Sequence, residues 1–477
     1  MRMMARPFCC PIGWDVTRSC CWASNGESVY PGPDAVYDIS SSSFVFVLAL
    51  VVPAIMSGPK NNYKWLIVAM LWMVSFFNYA DRQALSSVLP LLEKEFGLSL
   101  VQLGMLGSAF AWVYGLSSPF SGNLADRIRR KFAILGGLQV WSVICAATAL
   151  ARNFPQLLFF RGAIGLGESI YFPASMSLVS DFHGKRTRSL AMGILQTSVY
   201  IGTIGGSFFA GLIGQRFGWR WSFIVFGLLG MLLGLALTRF LREPKRGAAD
   251  EADLGVVGSE QPTRMSLRES IALFWEKPTV LLLMGAFMCA NFVALVLLSW
   301  MPKFLYDKFH LSLAMAGLTA TLFVQLAGMV GSPLGGWLAD RLRHRAVGGR
   351  IAVQLLGVVC GAPFVLVCGQ TRSTVWLVVA LAAWGLFKGL YDANIFASVY
   401  DVVRPEARGT AAGLMNCVGW LAGGGTAPVI IGYVAQHSSL SLAISVAGGV
   451  YLVAGALLLS AILWTVRRDV LRLQATA

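Results

Sequence analysis

Long apolar blocks, separated by short polar segments, dominate the chain from about residue 65 to residue 466. Most blocks are about 20 residues long, which is the length of an α-helix that crosses a bilayer. No segment shows the ten-residue alternation of a membrane β-barrel, and backbone inside lipid must satisfy its own hydrogen bonds. We therefore predict an all-α membrane protein with twelve spans, at residues 65–89, 101–121, 132–151, 156–180, 189–214, 221–238, 279–301, 313–337, 351–369, 375–402, 410–435 and 442–466.

Composition agrees with this pattern. The 477 residues are 56% hydrophobic and only 13% charged, whereas a soluble domain is about 25% charged. A net charge of +15 can indicate a nucleic-acid-binding protein, but the positions of the basic residues along the chain indicate otherwise. Loops after even-numbered spans and the C-terminal tail hold 23 Lys and Arg, and loops after odd-numbered spans hold 7. This positive-inside bias predicts cytoplasmic ends for the twelve-span body and no nucleic-acid partner.

The first 56 residues form a leader that the fold does not require. Residues 44–56 are apolar but too short to span a bilayer. Met56 begins a short polar segment of the kind that usually precedes a first membrane span on the cytoplasmic side. We expect translation to begin at Met56; the alternative is an extra membrane-associated segment. Four of the nine cysteines lie in this leader, in pairs that do not match zinc patterns, so we expect neither a metal nor a cofactor.

The membrane-embedded part is an internal duplication. Residues 122–127 (Gly-Asn-Leu-Ala-Asp-Arg) recur at 336–341 as Gly-Trp-Leu-Ala-Asp-Arg, and residues 165–193 align with 385–413 at an offset of 220. Duplication in a helical membrane protein is typical of secondary transporters. The predicted organisation is a leader, an N-terminal six-helix bundle, a cytoplasmic linker, a C-terminal six-helix bundle and a tail, at residues 1–56, 57–241, 242–277, 278–470 and 471–477.

These motifs resemble the major facilitator superfamily, whose fold is two pseudo-symmetric six-helix bundles; the resemblance covers residues 57 to about 470. Within it, residues 78–82 (Asn-Tyr-Ala-Asp-Arg) and the pair Arg161 and Glu168 resemble the anion:cation symporter branch, which includes sialin-like and sugar-acid transporters. Residues 388–394 (Lys-Gly-Leu-Tyr-Asp-Ala-Asn) are similar to spinster-like transporters.

Few charged residues lie well inside the predicted spans: Asp81, Arg82, Arg161, Glu168, Lys388 and Asp392. Each costs roughly 2.5–3.5 kcal/mol at a helix centre, so each needs a partner or a water-filled cavity. In the simpler interpretation, these residues form ion pairs that only stabilise the packing of the helices. In the functional interpretation, Asp81 pairs with Arg161 or takes up a proton, Glu168 carries a proton, and an arginine holds a substrate carboxylate through its planar fork of donors. The resemblance implies that Asp81 and Glu168 take up protons and that Arg82 and Arg161 bind an anion.

Other polar residues complete the predicted binding site. Residues Asn78 and Tyr79 belong to the first-span signature, while Gln196 and Asn416 match across the repeat. Lys388 and Asp392 are four residues apart and can neutralise each other; alternatively, Lys388 faces Glu168 as a second anion contact or a latch.

At the predicted cytoplasmic ends, acidic and basic residues suggest a gate. Asp181 and Asp401 lie at helix C-termini, where the helix dipole disfavours an anion, so nearby arginines must offset them. We predict ion pairs that close the inner mouth, formed among Asp126, Arg127, Asp340, Arg341, Asp181 and Asp401. The alternative is that these are simple topological anchors.

Three functions remain open from the sequence. The first is proton-coupled symport of a small organic anion by alternating access, by a monomer in the inner membrane of a bacterium. The second is a spinster-like transporter of lysolipid or another amphiphile, and the third a non-transporting membrane sensor. The chain carries no metalloprotease or nucleophile-elbow motif, which argues against an enzyme.

Overall fold

The computed structural model describes residues 63–183, 187–244, 277–403 and 408–475. The predicted leader, most of the predicted linker and the last two residues lie outside this part. Over the described residues the chain is almost entirely helical and contains no β-strand.

Six helices form the N-terminal half. They are α1 (Tyr63–Phe96), α2 (Leu100–Arg127), α3 (Arg130–Thr148), α4 in two pieces, α4a (Phe154–Ser169) and α4b (Tyr171–Phe182), α5 (Arg188–Phe217) and α6 (Trp219–Phe240).

The C-terminal half repeats this order and adds a terminal helix. It comprises α7 (Pro278–Phe309), α8 (Leu313–Arg343), α9 (Gly349–Gln370), α10a (Thr374–Asp392), α10b (Ile395–Tyr400), α11a (Arg408–Val418), a π-helical segment (Gly419–Gly424), α11b (Ala427–His437), α12 (Leu440–Ser460), a second π-helical segment (Ala461–Thr465) and α13 (Val466–Ala475).

The predicted all-α fold with twelve membrane helices is confirmed over the described residues. Ten of these helical stretches are long and apolar enough to cross a membrane by length and composition alone. The two that do not qualify are α1 and α4. α1 carries Asp81 and Arg82, and α4a, the longer piece of α4, carries Arg161 and Glu168. The helices that carry the central charges are therefore also the least lipid-like.

Local signals in the sequence set the short connections. Ser99 caps α2: its hydroxyl accepts from Gln102 N, and its own N–H donates to the Gln102 side chain, which satisfies two amides that the helix leaves free. Gly218 joins α5 to α6 in one residue at φ +91°, a conformation that L side chains rarely adopt. Consecutive helices therefore lie antiparallel.

Four predicted spans are not continuous α-helices. α4 breaks at Ile170, α10 breaks at Ala393 and Asn394, α11 contains the π-helical segment 419–424, and the twelfth predicted span contains the π-helical segment 461–465. At the α10 break, Asn394 Nδ2 donates to Leu390 O over 2.9 Å, so a side chain restores a bond lost at the interruption. Hydropathy averages over about 20 residues and does not detect such breaks.

The two bundles meet closely at one end, which carries the α1–α2, α5–α6, α7–α8 and α11–α12 connections and which we call the predicted outer face. A Cβ at Gly104 of α2 would lie 2.3 Å from Pro428 O of α11b. A Cβ at Gly317 of α8 would lie 2.5 Å from Ser207 O of α5. Only glycine permits these backbone approaches, so the bundles are in tight contact at this end.

Polar contacts between α1 and α7 strengthen the same end. Gln83 Nε2 donates to Leu298 O over 2.8 Å. Lys303 of α7 pairs with Glu93 of α1, and also with Asp307 of its own helix at 2.7 Å. The opposite end, the predicted inner face, carries the α2–α3, α4–α5, α8–α9 and α10–α11 connections.

Candidate functional site

An ion pair lies at the centre of the N-terminal bundle. Arg82 Nε on α1 donates to Glu168 Oε2 on α4a over 2.5 Å. The Glu168 side chain is fully buried, and 11% of the Arg82 side chain is exposed. The guanidinium of Arg82 is thus occupied by a carboxylate of the protein while retaining some access to solvent.

Aromatic rings surround the same guanidinium. The Arg82 Cζ atom lies 4.8 Å from the Tyr79 ring centroid, 5.0 Å from Phe110, 4.7 Å from Tyr114 and 5.8 Å from Trp420. Cation–π attraction of about 0.5–2 kcal/mol per contact holds the arginine in place without consuming its hydrogen-bond donors. The cage therefore leaves the planar fork of donors available to a carboxylate.

A second arginine and a second carboxylate lie behind this pair. Arg161 Nη2 donates to the backbone oxygen of Arg82 over 3.0 Å, and its Cζ lies 4.8 Å from the Phe110 ring. Asp81 is 1% exposed, and Arg161 and Cys145 are among the groups that interact with its carboxylate. We call Asp81, Arg82, Arg161 and Glu168 the central site.

The central site is incompletely satisfied. Within the described residues, both carboxylate oxygens of Asp81, Nε and Nη1 of Arg161, and Oε1 of Glu168 have no hydrogen-bond partner although they are buried. Buried polar atoms are nearly always bonded, because leaving one unpaired costs about 1–3 kcal/mol. The arrangement has the capacity to accept protons and additional hydrogen-bonding groups.

The other predicted binding residues surround this centre. Asn78 is buried beside Glu168, and Tyr79 and Gln196 line one small cavity together with Ser75. Asn416 is half-buried on α11a, four residues before Trp420 and hence on the same helix face.

The structure pairs Lys388 with Asp392, one helical turn away on α10a. The two side chains are 26% and 44% exposed, in contrast to the buried central site. Tyr200 of α5, in the other bundle, interacts electrostatically with both of them. The alternative of a Lys388–Glu168 pair is not the arrangement seen, since Glu168 is bonded to Arg82.

The predicted gate residues at the predicted inner face pair within each bundle. Asp181 pairs with Arg130, the first residue of α3. Asp401 lies 2.8 Å from Arg350, which also contacts Asp340 at 3.4 Å. Each acidic residue at the end of α4b or α10b is thus offset by an arginine at the start of the third helix of its own bundle.

The remaining gate residues are less constrained. Arg341 stacks its guanidinium over the Trp337 ring, with Cζ 5.7 Å from the centroid. The side chains of Asp126 and Arg127, at the end of α2, lie outside the described part of the structure. No ion pair between bundles is seen at this face among the described residues.

Sequence reasoning missed Phe110, Tyr114 and Trp420. The first two are four residues apart in the second span and share a helix face, which was a detectable signal. Trp420 had no such signal, because it reaches Arg82 from the π-helical segment of α11. Such segments are rare and occur mainly at functional sites.

A histidine is buried at the end of α4b, outside the membrane-spanning segment. His183 is fully buried; one ring nitrogen lies 3.1 Å from Lys64 O and the other 3.1 Å from Thr187 Oγ1. Burial lowers the pKa of His183 below its ordinary value, and the bond to Lys64 O offsets this only in part. The imidazole is therefore neutral near pH 7.

Comparison with known proteins is consistent with this architecture. The family model described as Major Facilitator Superfamily matches residues 71–425 and 305–475. A probable galactarate/D-glucarate transporter of Bacillus subtilis is 29% identical over 406 residues, which cover 81% of this chain and 88% of that protein. A hexuronate transporter of the same organism is 25% identical, covering 80% of this chain and 91% of that protein.

A solved structure has the same fold. The crystal structure of a bacterial homologue of the human lysosomal transporter spinster, in an inward-facing and unoccupied conformation, superposes with a TM-score of 0.76. It is 22% identical in sequence and covers 87% of this chain and 99% of that one.

Proposed function

Because the chain belongs to the major facilitator superfamily, we propose that it moves a small organic anion of the sugar-acid class across the membrane by proton-coupled symport. The family and the transporters it resembles make it a membrane transporter and not an enzyme. Two relatives matched along most of their length are named for sugar acids, which supports this substrate class. The likeness to the spinster homologue concerns the fold alone.

The single observation that carries the proposal is the occupied arginine. Arg82 has a planar fork of donors that matches a carboxylate, and Glu168 already uses it. A substrate carboxylate and the ionised Glu168 compete for the same donors. Protonation of Glu168 removes its charge and releases Arg82, so that proton and anion bind together.

Charge balance leads to the same coupling. The central site contains two carboxylates and two guanidiniums, so it is neutral when all four are ionised. An anion that entered alone would leave a net negative charge in a buried environment, which is expensive. A proton on Glu168 or Asp81 restores neutrality. Both carboxylates have unpartnered oxygens that can receive it.

Alternating access follows from the contacts between bundles. The described contacts concentrate at the predicted outer face, where glycine backbones touch. In this proposal the predicted inner face is cytoplasmic, in the inner membrane of a bacterium. One chain contains the complete site, so a monomer suffices. Rocking of the bundles breaks the contacts at the outer face and exposes the site there.

The test is uptake into proteoliposomes that contain the purified protein. An imposed pH gradient should drive accumulation of a labelled sugar acid such as a hexuronate. Glu168→Gln should abolish accumulation but retain exchange of internal for external substrate, because glutamine is neutral whatever the pH. Glu95→Gln is the matched control, since Glu95 is 39% exposed and contacts Arg220 far from the centre.

Two outcomes would reject the proposal. Normal accumulation by Glu168→Gln would remove this carboxylate from the proton path. Binding of lysolipids but of no sugar acid, measured as a shift in melting temperature, would assign the protein to an amphiphile-transporting function instead. A ligand at 100 times its Kd stabilises the folded state by about 2.7 kcal/mol, which is enough for a visible shift.

A further inference from the structure

The Lys388–Asp392 pair differs from the central site in exposure and in charge. The central carboxylates are buried, whereas Lys388 and Asp392 are partly exposed. A Lys–Asp pair is neutral as a whole. It presents ammonium donors beside carboxylate acceptors, which is the combination that recognises adjacent hydroxyl groups.

Packing of α10a directs this pair toward the centre of the protein. A Cβ at Gly385 would lie 2.4 Å from Val324 O, so that face of α10a contacts α8. Trp384 Nε1 donates to Tyr451 OH on α12 over 3.1 Å, which fixes a second face. At about 100° per residue, Lys388 lies between those two faces.

A tyrosine of the other bundle lies between this pair and Arg82. Tyr200 of α5 is within electrostatic range of Lys388 and Asp392, and also of Tyr79 of α1. Tyr79 in turn covers the Arg82 guanidinium. A ligand held by its carboxylate at Arg82 would have to extend past these two phenol groups to reach the Lys–Asp pair.

We propose that Lys388 and Asp392 bind hydroxyl groups of the substrate, so that the protein selects monocarboxylates with a polyhydroxy chain over simple carboxylates and over diacids. This inference rests on the proposed function, because it assumes a carboxylate at Arg82. A second carboxylate gains little from a neutral pair and adds a charge that a single proton does not balance. The relatives divide between these classes, since one is named for diacids and the other for hexuronates.

The experiment measures binding of three acids to the purified full-length protein by calorimetry. Gluconate has one carboxylate and hydroxyl groups, glucarate has two carboxylates and hydroxyl groups, and hexanoate has one carboxylate and no hydroxyl group. Lys388→Met and Asp392→Asn should each weaken gluconate binding about tenfold or more and change hexanoate binding less than twofold. Lys94→Met, the same substitution at an exposed lysine on α1, should change neither.

Other results would overturn the inference in distinguishable ways. If Lys388→Met weakens glucarate far more than gluconate, the lysine is a second anion site. An equal loss for all three acids would make the pair a structural element only. If the unsubstituted protein binds none of the acids, the proposed function itself fails, and this inference with it.

Discussion

The two bundles share one fold but place their ionisable groups differently. At the centre of the N-terminal bundle, Arg161 and Glu168 are buried in a network with unpartnered atoms. At the repeat-related positions, 220 residues later, the C-terminal bundle has the fully buried Leu381 and the partly exposed Lys388. One half thus holds desolvated charges suited to coupling, while the other holds an apolar core and a neutral, accessible pair.

This asymmetry indicates that the two halves of the duplicated protein have different roles. A desolvated carboxylate takes up or releases a proton in response to a neighbouring charge, whereas a neutral ion pair with access to solvent has no such response. The aromatic rings around Arg82 come from both bundles, since Trp420 of α11 lies over Arg82 of α1. Rocking of the bundles therefore moves a wall of the central site.

The largest expected effect compares Arg161→Met with Leu381→Met. Removing Arg161 leaves two buried carboxylates with one cation fewer, which typically destabilises a protein by about 3–5 kcal/mol. We expect transport to fall at least a hundredfold and the melting temperature to drop. Leu381→Met conserves volume and should cost less than about 1.5 kcal/mol.

Uptake assays and thermal melts on both variants check this expectation. Equal behaviour of the two would contradict a special role for buried charge in the N-terminal bundle. Loss of stability with retained transport in Arg161→Met would assign the arginine to packing.

A smaller effect is expected where the bundles are alike. Gly104→Val and Gly317→Val introduce a side chain where a Cβ would lie 2.3 Å from Pro428 O and 2.5 Å from Ser207 O, respectively. Both should prevent closure of the predicted outer face and slow transport at least tenfold. The two variants should agree, because these contacts are shared equally between the bundles.

Thiol labelling distinguishes this effect from misfolding. A Ser87→Cys reporter lies beneath the contact, where Ser87 Oγ is 2.8 Å from Ser207 Oγ, and should label faster from the predicted outer side in both variants. Gly449→Val is the control, because a Cβ there has no atom within 4 Å. Unchanged labelling with full transport would show that this face closes elsewhere.

The smallest effect concerns stability as a function of pH. His183 corresponds to Val403 in the repeat, and only the histidine titrates. Because burial lowers the pKa of the folded state, the unfolded chain binds the proton first as pH falls below about 6.5. This group therefore reduces stability in acid, from about pH 6.5 down to its lowered pKa, by at most about 1.4 kcal/mol per pH unit.

Thermal melts between pH 7.5 and pH 5 test this sign. The difference in melting temperature between the parent and His183→Gln should shrink as pH falls, whereas the difference between the parent and Val403→Ala should stay constant. A parent–glutamine difference that grows in acid would mean that the folded protein prefers the imidazolium.

The sequence alone predicts the helical class, the helix order and the duplication. These depend on short-range properties: apolar blocks of bilayer length, capping residues such as Ser99, and repeated motifs. It also singled out the four residues of the central site, because an ionised group inside an apolar span is costly wherever it packs, and their roles in transport stay predictions.

The tertiary structure alone shows which charges pair and which groups surround them. The spacing of residues 81, 82, 161 and 168 allowed several pairings, and the tertiary fold selected Arg82 with Glu168. It also placed Trp420 over Arg82 and directed Lys388 toward Tyr200. Such contacts join residues 86 or more positions apart, so no local pattern in the chain encodes them.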